Sequence, residues 1–473
     1  MNWKTIFKSL KSRDMQKRLV IVLGLIVVYR LLAHIPVPLA EPTALKEVLQ
    51  NVLTGTDLGG FMNILTGGAL ANLSIVLVGL SPYITASVIT QLLTKAIPRL
   101  EELHKDGEVG RRKIQQWTRL ITLPLAIVQS IAFIFILRQS VLAGASGTDI
   151  TADTSPLQWV IMVGAMTIGA MLLMWIGELM TEQGVGNGMS LLIFAGIISQ
   201  LPQTLATLIS SLTNVQSDAD KLHVFNWFTL PVNGVAFWIT LLLVVVGLIG
   251  LYIIVKINEA QRVVTINYAK RVQGNRAYGG VTSILPIKLI TAGVIPVIFA
   301  VAFLALPAFI GQALKGMGSE QWQQLGTNLV QWFQTPTPQT YIAGDPTAFI
   351  YPIAYFVLVV LFTYFYTGIV FNTSEIAENL QKQGGFVANI RPGQQTERYL
   401  KRTVTRLTLF GSLALGIIAV TPFLFEFIGA KFGLQLQNLA IGGTGLLIVV
   451  SVTLETLRQI NSRALMVTYD QDY

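Results

Sequence analysis

GALANLSIVLVGLSPYITASVITQLL, residues 68–93, is too long and too interrupted to be one ordinary membrane helix. It lies in a run of 37 residues between Asp57 and Lys95 that holds no Asp, Glu, Lys, Arg or His. As one helix that run would reach about 55 Å at ~1.5 Å per residue, against a hydrocarbon core of ~30 Å. In its middle stands Gly79-Leu80-Ser81-Pro82, where the proline removes a backbone donor and disfavours helix in the residue before it. Two readings follow. One has a short Gly-rich helix before the break and a spanning helix after it; the other has a proline kink within one long tilted span that carries a surface lead-in. Periodicity alone does not separate them.

The rest of the chain carries the same signature. Of its 473 residues 52% are hydrophobic and 12% charged, with mean hydropathy +0.61, whereas a soluble domain carries roughly twice that charge to cover its surface. Apolar stretches recur along the whole length and predict ten spans: 19–37, 81–94, 120–137, 157–177, 190–211, 235–255, 289–310, 349–371, 407–425 and 439–454. The sequence thus predicts an all-α polytopic membrane protein.

Ten spans put both termini on one side. Of the 33 Lys and Arg, all but Arg30, Lys46, Arg138, Lys221, Lys315 and Lys431 fall in the N-terminal tail, the loops after the second, sixth and eighth spans, or the C-terminal tail. The positive-inside rule places those segments, and both termini, in the cytoplasm. It also accounts for the net charge of +9 without a nucleic-acid partner. The basic start MNWKTIFKSLKSRDMQKR resembles a signal-peptide n-region, but no small-residue cleavage motif follows, and it is read as retained. With no cysteine, disulfide and thiol chemistry are excluded.

The span interiors lack the ionisable groups that ion-coupled transporters hold at mid-depth. Arg30 and His34 sit near the outer end of the first span, where long side chains snorkel, and Glu178 and Glu182 at the cytoplasmic end of the fourth. There is no phosphate-binding loop, zinc-protease motif or nucleophile elbow. This is the pattern of a passive path, not of an enzyme or an engine. The long basic loops are more than topology signals require: Val263, Val264, Ile266 and Tyr268 alternate, suggesting a projecting hairpin, and a basic projection suits a large acidic or nucleic-acid partner. In the outer loop 311–351, Trp322, Leu325, Leu329 and Trp332 recur at helical spacing, which suits an amphipathic helix on the outer interface or a packed cap over a pore mouth.

The residues then become specific. AHIPVP, GGALANLSIVLVGLSPYITASVITQLL, DGEVGRRKIQQWTR, GELMTEQGVGNGMSLLIFAGI, QRVVTINYAKR, AGVIPVIF, ANIRPGQQTERYLKR and GGTGLLIVVSVTLE follow one another in order. In these motifs the whole chain resembles the SecY family, the channel subunits of Sec protein translocases. The resemblance implies two inverted, pseudo-symmetric halves of five spans around a central pore, 19–211 and 235–454. They are joined by an extracytoplasmic hinge loop, 212–234, with basic docking loops at 256–288 and 373–406 and cytoplasmic tails at 1–18 and 455–473. It implies a plug helix over about 61–72, with Phe61, Gly67, Gly68 and Asn72, and an aliphatic pore ring of Ile84, Val88, Ile193, Ile197, Ile298 and Ile448.

For a sideways gate it implies the polar positions Gln91 and Gln129, with Thr291 beside Ile290, which stands where the family tends to have a polar residue. For docking it implies Arg262, Lys270, Arg271 and Arg391. The implied partners are small SecE-like and SecG-like membrane subunits, the SecA motor ATPase, the ribosome, signal-bearing precursor polypeptides and membrane lipid, in the cytoplasmic membrane of a bacterium. No cofactor is implied. The rival readings are a secondary transporter of small solutes and a membrane scaffold or insertase without a through-pore.

Overall fold

The structure, a computed structural model, describes residues 13–37, 73–143, 155–213, 221–224, 228–268, 271–273, 276–278, 282–315, 320–336, 338–431 and 439–471. Within it the opening stretch is not one helix. Helix α1 (Arg13–Leu32) is followed by a bend, residues 73–80 run as turns, and α2 (Ser81–Ala96) starts with Pro82 in its first turn, where a missing N–H costs nothing. Gly79 has φ +62°, a left-handed conformation open to glycine. The continuous kinked span is therefore excluded, and the break is real. The segment before it is tied to the end of α1. Val37 N–H donates to Leu73 O at 2.7 Å, Ile75 N–H to Ile35 O at 2.9 Å, and the Ser74 hydroxyl to Leu32 O at 3.1 Å. Irregular backbone at membrane depth must be enclosed by protein, and Val76, Leu77 and Val78 are fully buried.

The chain continues through α3 (Pro98–Lys105), α4 (Gly107–Ala143), α5 (Pro156–Glu182) and α6 (Gly188–Thr213), then a hairpin of β1 (Lys221–Val224) and β2 (Phe228–Asn233), which the sequence reading did not foresee, and α7 (Gly234–Glu259). Strands β3 (Gln261–Tyr268), β4 (Arg271–Gln273), β5 (Arg276–Tyr278) and β6 (Thr282–Lys288) follow. Then come α8 (Ile295–Lys315), α9 (Glu320–Phe333), α10 (Pro338–Ile342), a 3-10 turn over Pro346–Phe349, α11 (Ile350–Val370), α12 (Thr373–Lys382), β7 (Gly385–Val387), α13 (Gln394–Lys431) and α14 (Leu439–Gln471).

Each of the ten apolar stretches overlaps a helix, the first and the seventh only in part, since α1 ends at Leu32 and α8 begins at Ile295. Among the described residues five helical segments are long and apolar enough to cross a membrane: Gly107–Phe135, Pro156–Glu182, Thr240–Glu259, Pro346–Lys382 and Gln394–Ile428. Gly188–Pro202 and Ile295–Ala308 are shorter apolar helices. Helices α4 and α13 have 37 and 38 residues, about 55 Å at ~1.5 Å each. Their charged N-terminal turns therefore stand clear of a ~30 Å core. The seventh stretch needs correcting: helix begins at Ile295, not near 289, because Gly293 turns the chain at φ +64°. Ile290 and Thr291 thus lie in that turn and not on a span helix.

The alternation at Val263–Tyr268 does mark a strand. β3 pairs antiparallel with β6 from Gln261↔Lys288 to Asn267↔Thr282. Its other edge pairs with β7, Ile266 opposite Val387 and Tyr268 opposite Gly385. The loops after α7 and α11 are thereby fused into one three-stranded sheet. Val264, Ile287 and Val387 on its inner face pack against Leu400 and Val404 of α13.

The main hydrophobic core draws residues from both ends of the chain. Tyr29 of α1, Val76, Leu173 and Met180 of α5, Val297 of α8, Tyr355 of α11, Ala419 of α13 and Val452 of α14 belong to one cluster. A second cluster seats Leu73, Leu77 and Val78 against Phe133 of α4 and Met162 and Met166 of α5. The fit there is tight. A Cβ on Gly169 of α5 would collide with the Ile75 carbonyl, so α5 needs glycine where the irregular segment crosses it.

Candidate functional site

Six aliphatic side chains singled out in the sequence come from four helices. Ile84 and Val88 lie one turn apart on α2, Ile193 and Ile197 one turn apart on α6, Ile298 on the first turn of α8 and Ile448 on α14. Pairs at four-residue spacing share a helix face, which lets each of α2 and α6 offer two branched side chains inward. In the structure all six belong to or border the same large core cluster. Ile84, Val88, Ile193, Ile298 and Ile448 are buried members of the main core cluster, and Ile197 is a half-buried neighbour packed on it. Gly445, one turn before Ile448, leaves room for the Ile197 Cγ2, which a Cβ there would meet at 3.4 Å.

Helix α8 lies against both α2 and α4, and α11 against α8. Phe299 of α8 meets Phe362 and Tyr366 of α11 edge-on at 6.2 and 6.0 Å. The polar residues that the resemblance assigns to a sideways gate are poorly matched. Gln91 donates from Nε2 to Ser87 Oγ on its own helix at 3.1 Å, and its oxygen finds no hydrogen-bond partner in the protein. Gln129 is buried on α4 with neither carboxamide atom bonded. Thr291 does not answer them, because its hydroxyl donates to the Lys288 carbonyl at 3.0 Å within the turn. Ile290 is buried in the main core instead. A buried amide without partners costs ~1–3 kcal/mol, so the contact between α4 and its neighbours carries a built-in penalty.

At the end of α5 that the charge pattern assigns to the cytoplasm, Glu178 is buried and held by Arg119 of α4. Arg119 Nη2 stands 2.8 Å from Glu178 Oε2 and its Nε 2.9 Å from Oε1, and Gln115 Nε2 adds a bond of 3.2 Å. Sequence reasoning noted Glu178 but missed its partner, 59 residues earlier in the chain. On the other half, Asn258 of α7 donates to Ser451 Oγ at 2.9 Å and accepts at its carbonyl from Arg458 at 3.0 Å, tying α7 to α14. Beside them Lys288 is pushed below its ordinary value, first by burial and then by Arg458.

The docking residues divide. Arg262 is exposed on β3 opposite Ile287, and Arg391 is exposed four residues after β7. The β3–β7 pairing therefore mounts both on one sheet-based platform. Past Arg391, Gly393 at φ +92° and the Thr396 hydroxyl, which donates to the Arg391 carbonyl at 2.9 Å, fix the turn. Arg271 heads β4 across from Tyr278. Lys270 lies outside the described residues, as do Phe61, Gly67, Gly68 and Asn72 of the implied plug. Among the described residues there is no cluster of His, Asp or Glu able to hold a metal.

With this geometry in place, comparison with known proteins is specific. The family model described as SecY matches residues 74–457. The chain is 38% identical over 469 residues to the protein translocase subunit SecY of Mycobacterium bovis, covering 98% of both chains, and equally similar to that of Corynebacterium glutamicum. By fold it is similar to a solved protein-conducting channel, with TM-score 0.57, 21% identity, and 94% and 91% of the two chains covered. It is also similar to a channel of the canine endoplasmic reticulum solved with the ribosome, with TM-score 0.54, 20% identity, and 94% and 91% covered.

Proposed function

This chain belongs to the SecY family of protein translocase subunits, and from that premise we propose how it works as one. It is a protein-conducting channel of the cytoplasmic membrane: unfolded polypeptides thread through the aliphatic constriction, and apolar segments leave sideways between α2 and α4 on one side and α8 and α11 on the other. The observation that supports this reading is that Ile84, Val88, Ile193, Ile298 and Ile448, from four helices, lie in one apolar core on which Ile197 packs. A ring of branched side chains seals when empty, yields to an extended chain and offers no polar group to hold it.

Ten spans in two inverted halves, both termini in the cytoplasm, and a plug at about residues 61–72 complete the proposal. An odd number of spans per half is what inverts one half against the other. Energy comes from outside, since no nucleotide-binding motif is present in the sequence. Arg262, Arg271 and Arg391, with Lys270, face a motor ATPase of the SecA kind or the ribosome, and small SecE-like and SecG-like subunits brace the two halves. The unmatched carboxamide of Gln129 supports the gate assignment, because a penalty in the closed contact is relieved when the seam opens.

The test places a photocrosslinking residue at Ile193 and presents the membranes with a stalled, signal-bearing precursor, motor and ATP. A crosslink to a hydrophilic mature part of the precursor, dependent on motor and ATP, is expected. Correct binding of the precursor without any such crosslink would overturn the conduction reading and favour a scaffold without a through-pore.

A further inference from the structure

Helix α13 has two distinct faces before it enters the hydrocarbon. Leu400, Thr403 and Val404 turn inward, Leu400 and Val404 packing on the three-stranded sheet. On the other side Arg398, Arg402 and Arg406 recur every four residues, all exposed, with exposed Lys401 beside them. The same four-residue row continues into Phe410, and Leu413 and Ile417 extend the exposed apolar surface beyond it. A basic stripe thus runs into an exposed apolar stripe. At ~1.5 Å per residue, Arg402 and Arg406 are separated by about 6 Å along the axis and Arg406 lies the same distance from Phe410. That is the depth of the headgroup layer. Among the described residues no carboxylate forms a salt bridge with any of the four cations.

We propose that Arg398, Lys401, Arg402 and Arg406 bind the phosphate headgroup of an anionic phospholipid in the leaflet they face, with its acyl chains lying on Phe410, Leu413 and Ile417. Charge complementarity identifies the occupant. Guanidinium groups one turn apart present forked donors to phosphate oxygens, and a juxtamembrane cluster of four basic residues is attracted to an anionic lipid surface. Topology alone requires cations in the loop, not cations on one helix face in register with an apolar stripe. A nucleic-acid or protein partner needs no exposed apolar surface in line with its cations, whereas an acyl chain does. The inference rests on α13 spanning the membrane and not on conduction, so an unchanged photocrosslink at Ile193 separates its failure from failure of the channel reading.

The experiment reconstitutes the full chain in nanodiscs of phosphatidylcholine with a minor share of phosphatidylglycerol and counts the lipids retained after release by native mass spectrometry. Retention of phosphatidylglycerol above its share of the bilayer is expected, falling about threefold or more in R398Q/K401Q/R402Q/R406Q as the attraction per cation is removed. The single changes Arg402→Gln and Arg406→Gln each take away part of it and keep the test open if the fourfold variant fails to fold. Lys382→Gln on α12, an exposed cation already paired with Glu378 at 2.8 Å, leaves retention unchanged. Equal retention by the folded variants would overturn the proposal. So would loss of motor or ribosome binding in lipid-free detergent with phosphatidylglycerol retention intact, because the stripe would then serve a macromolecule.

Discussion

Arg119 grips Glu178 across the α4–α5 contact by two nearly equal bonds, 2.8 and 2.9 Å, with the carboxylate buried and the guanidinium half-exposed. Two-point contacts of this kind fix orientation as well as distance, so the pair sets how α4 and α5 meet there. Removing one partner of a fully buried pair costs ~3–5 kcal/mol. Water can still reach Arg119, so Glu178→Ala is expected to cost less, about 1–3 kcal/mol. Arg119→Lys, which forfeits the fork, falls between the variant and the native protein. Thermal unfolding in nanodiscs measures both; a native melting temperature for Glu178→Ala would remove the pair's structural role.

Two glycines of α5 predict opposite outcomes. Gly169→Ala drives a methyl group into the Ile75 carbonyl, whereas a Cβ at Gly164 meets nothing within 4 Å. Overpacking against backbone costs about 1–3 kcal/mol, so Gly169→Ala is expected to melt lower and Gly164→Ala to match the native protein or exceed it slightly, by its better helix propensity. Equal stability of the two variants would contradict the described path of residues 73–80.

Opening the constriction with a hydroxyl should wet it. Ile193 is fully buried and Ile197 half-buried, so Ile193→Ser is expected to raise ion leak across a planar bilayer more than Ile197→Ser does, since dewetting depends on the most enclosed apolar contacts. Single-channel recording checks the order. A larger leak from Ile197→Ser would shift the narrowest point toward the Gly445 side.

The seam should respond to Gln129. Replacing its carboxamide by Gln129→Leu removes a buried group that has no hydrogen-bond partner and is expected to strengthen the closed contact by about 1–3 kcal/mol. Precursors with weakly apolar signals then insert more slowly while strongly apolar ones are little affected. Insertion rates measured for a graded series of signals decide this; uniform rates across the series would separate Gln129 from the gate.

Asp345 caps the turn that leads into α11, accepting from Thr347 N–H at 3.0 Å and from Gln331 Nε2 at 3.0 Å. The bonds from Thr347, backbone first, hold its carboxyl below the ordinary range. A depressed pKa contributes stability that is present above the unfolded value and lost as pH falls through the lower folded value. Asp345→Asn should therefore melt slightly below the native protein at pH 7, and the gap should close at pH low enough to protonate the native carboxyl. A gap that persists unchanged under acid would assign the effect to shape and not to charge.

What could be read along the chain was what each residue declares locally. Apolar runs marked the helices, the Gly79–Pro82 break marked the start of α2, alternation at Val264 and Ile266 marked β3, and the placement of Lys and Arg gave a sidedness. The periodicity of Trp322, Leu325 and Trp332 likewise marked α9, which packs on α8 through Gly311 and Gly326 and leaves those three side chains exposed. Hydropathy, helix breaking and charge are properties of neighbours in sequence, so a window of twenty residues contains them.

Contacts between distant windows were settled only by packing. Ile84 and Ile448 share one core although 364 positions separate them. β7 completes the sheet begun by β3, Arg119 finds Glu178, and the turn at Gly293 sets the Thr291 hydroxyl on the Lys288 carbonyl. An apolar or polar side chain names the kind of neighbour it needs but not which one. That choice is made by the whole set of helices, each of which must bury one face and satisfy its backbone at the same time.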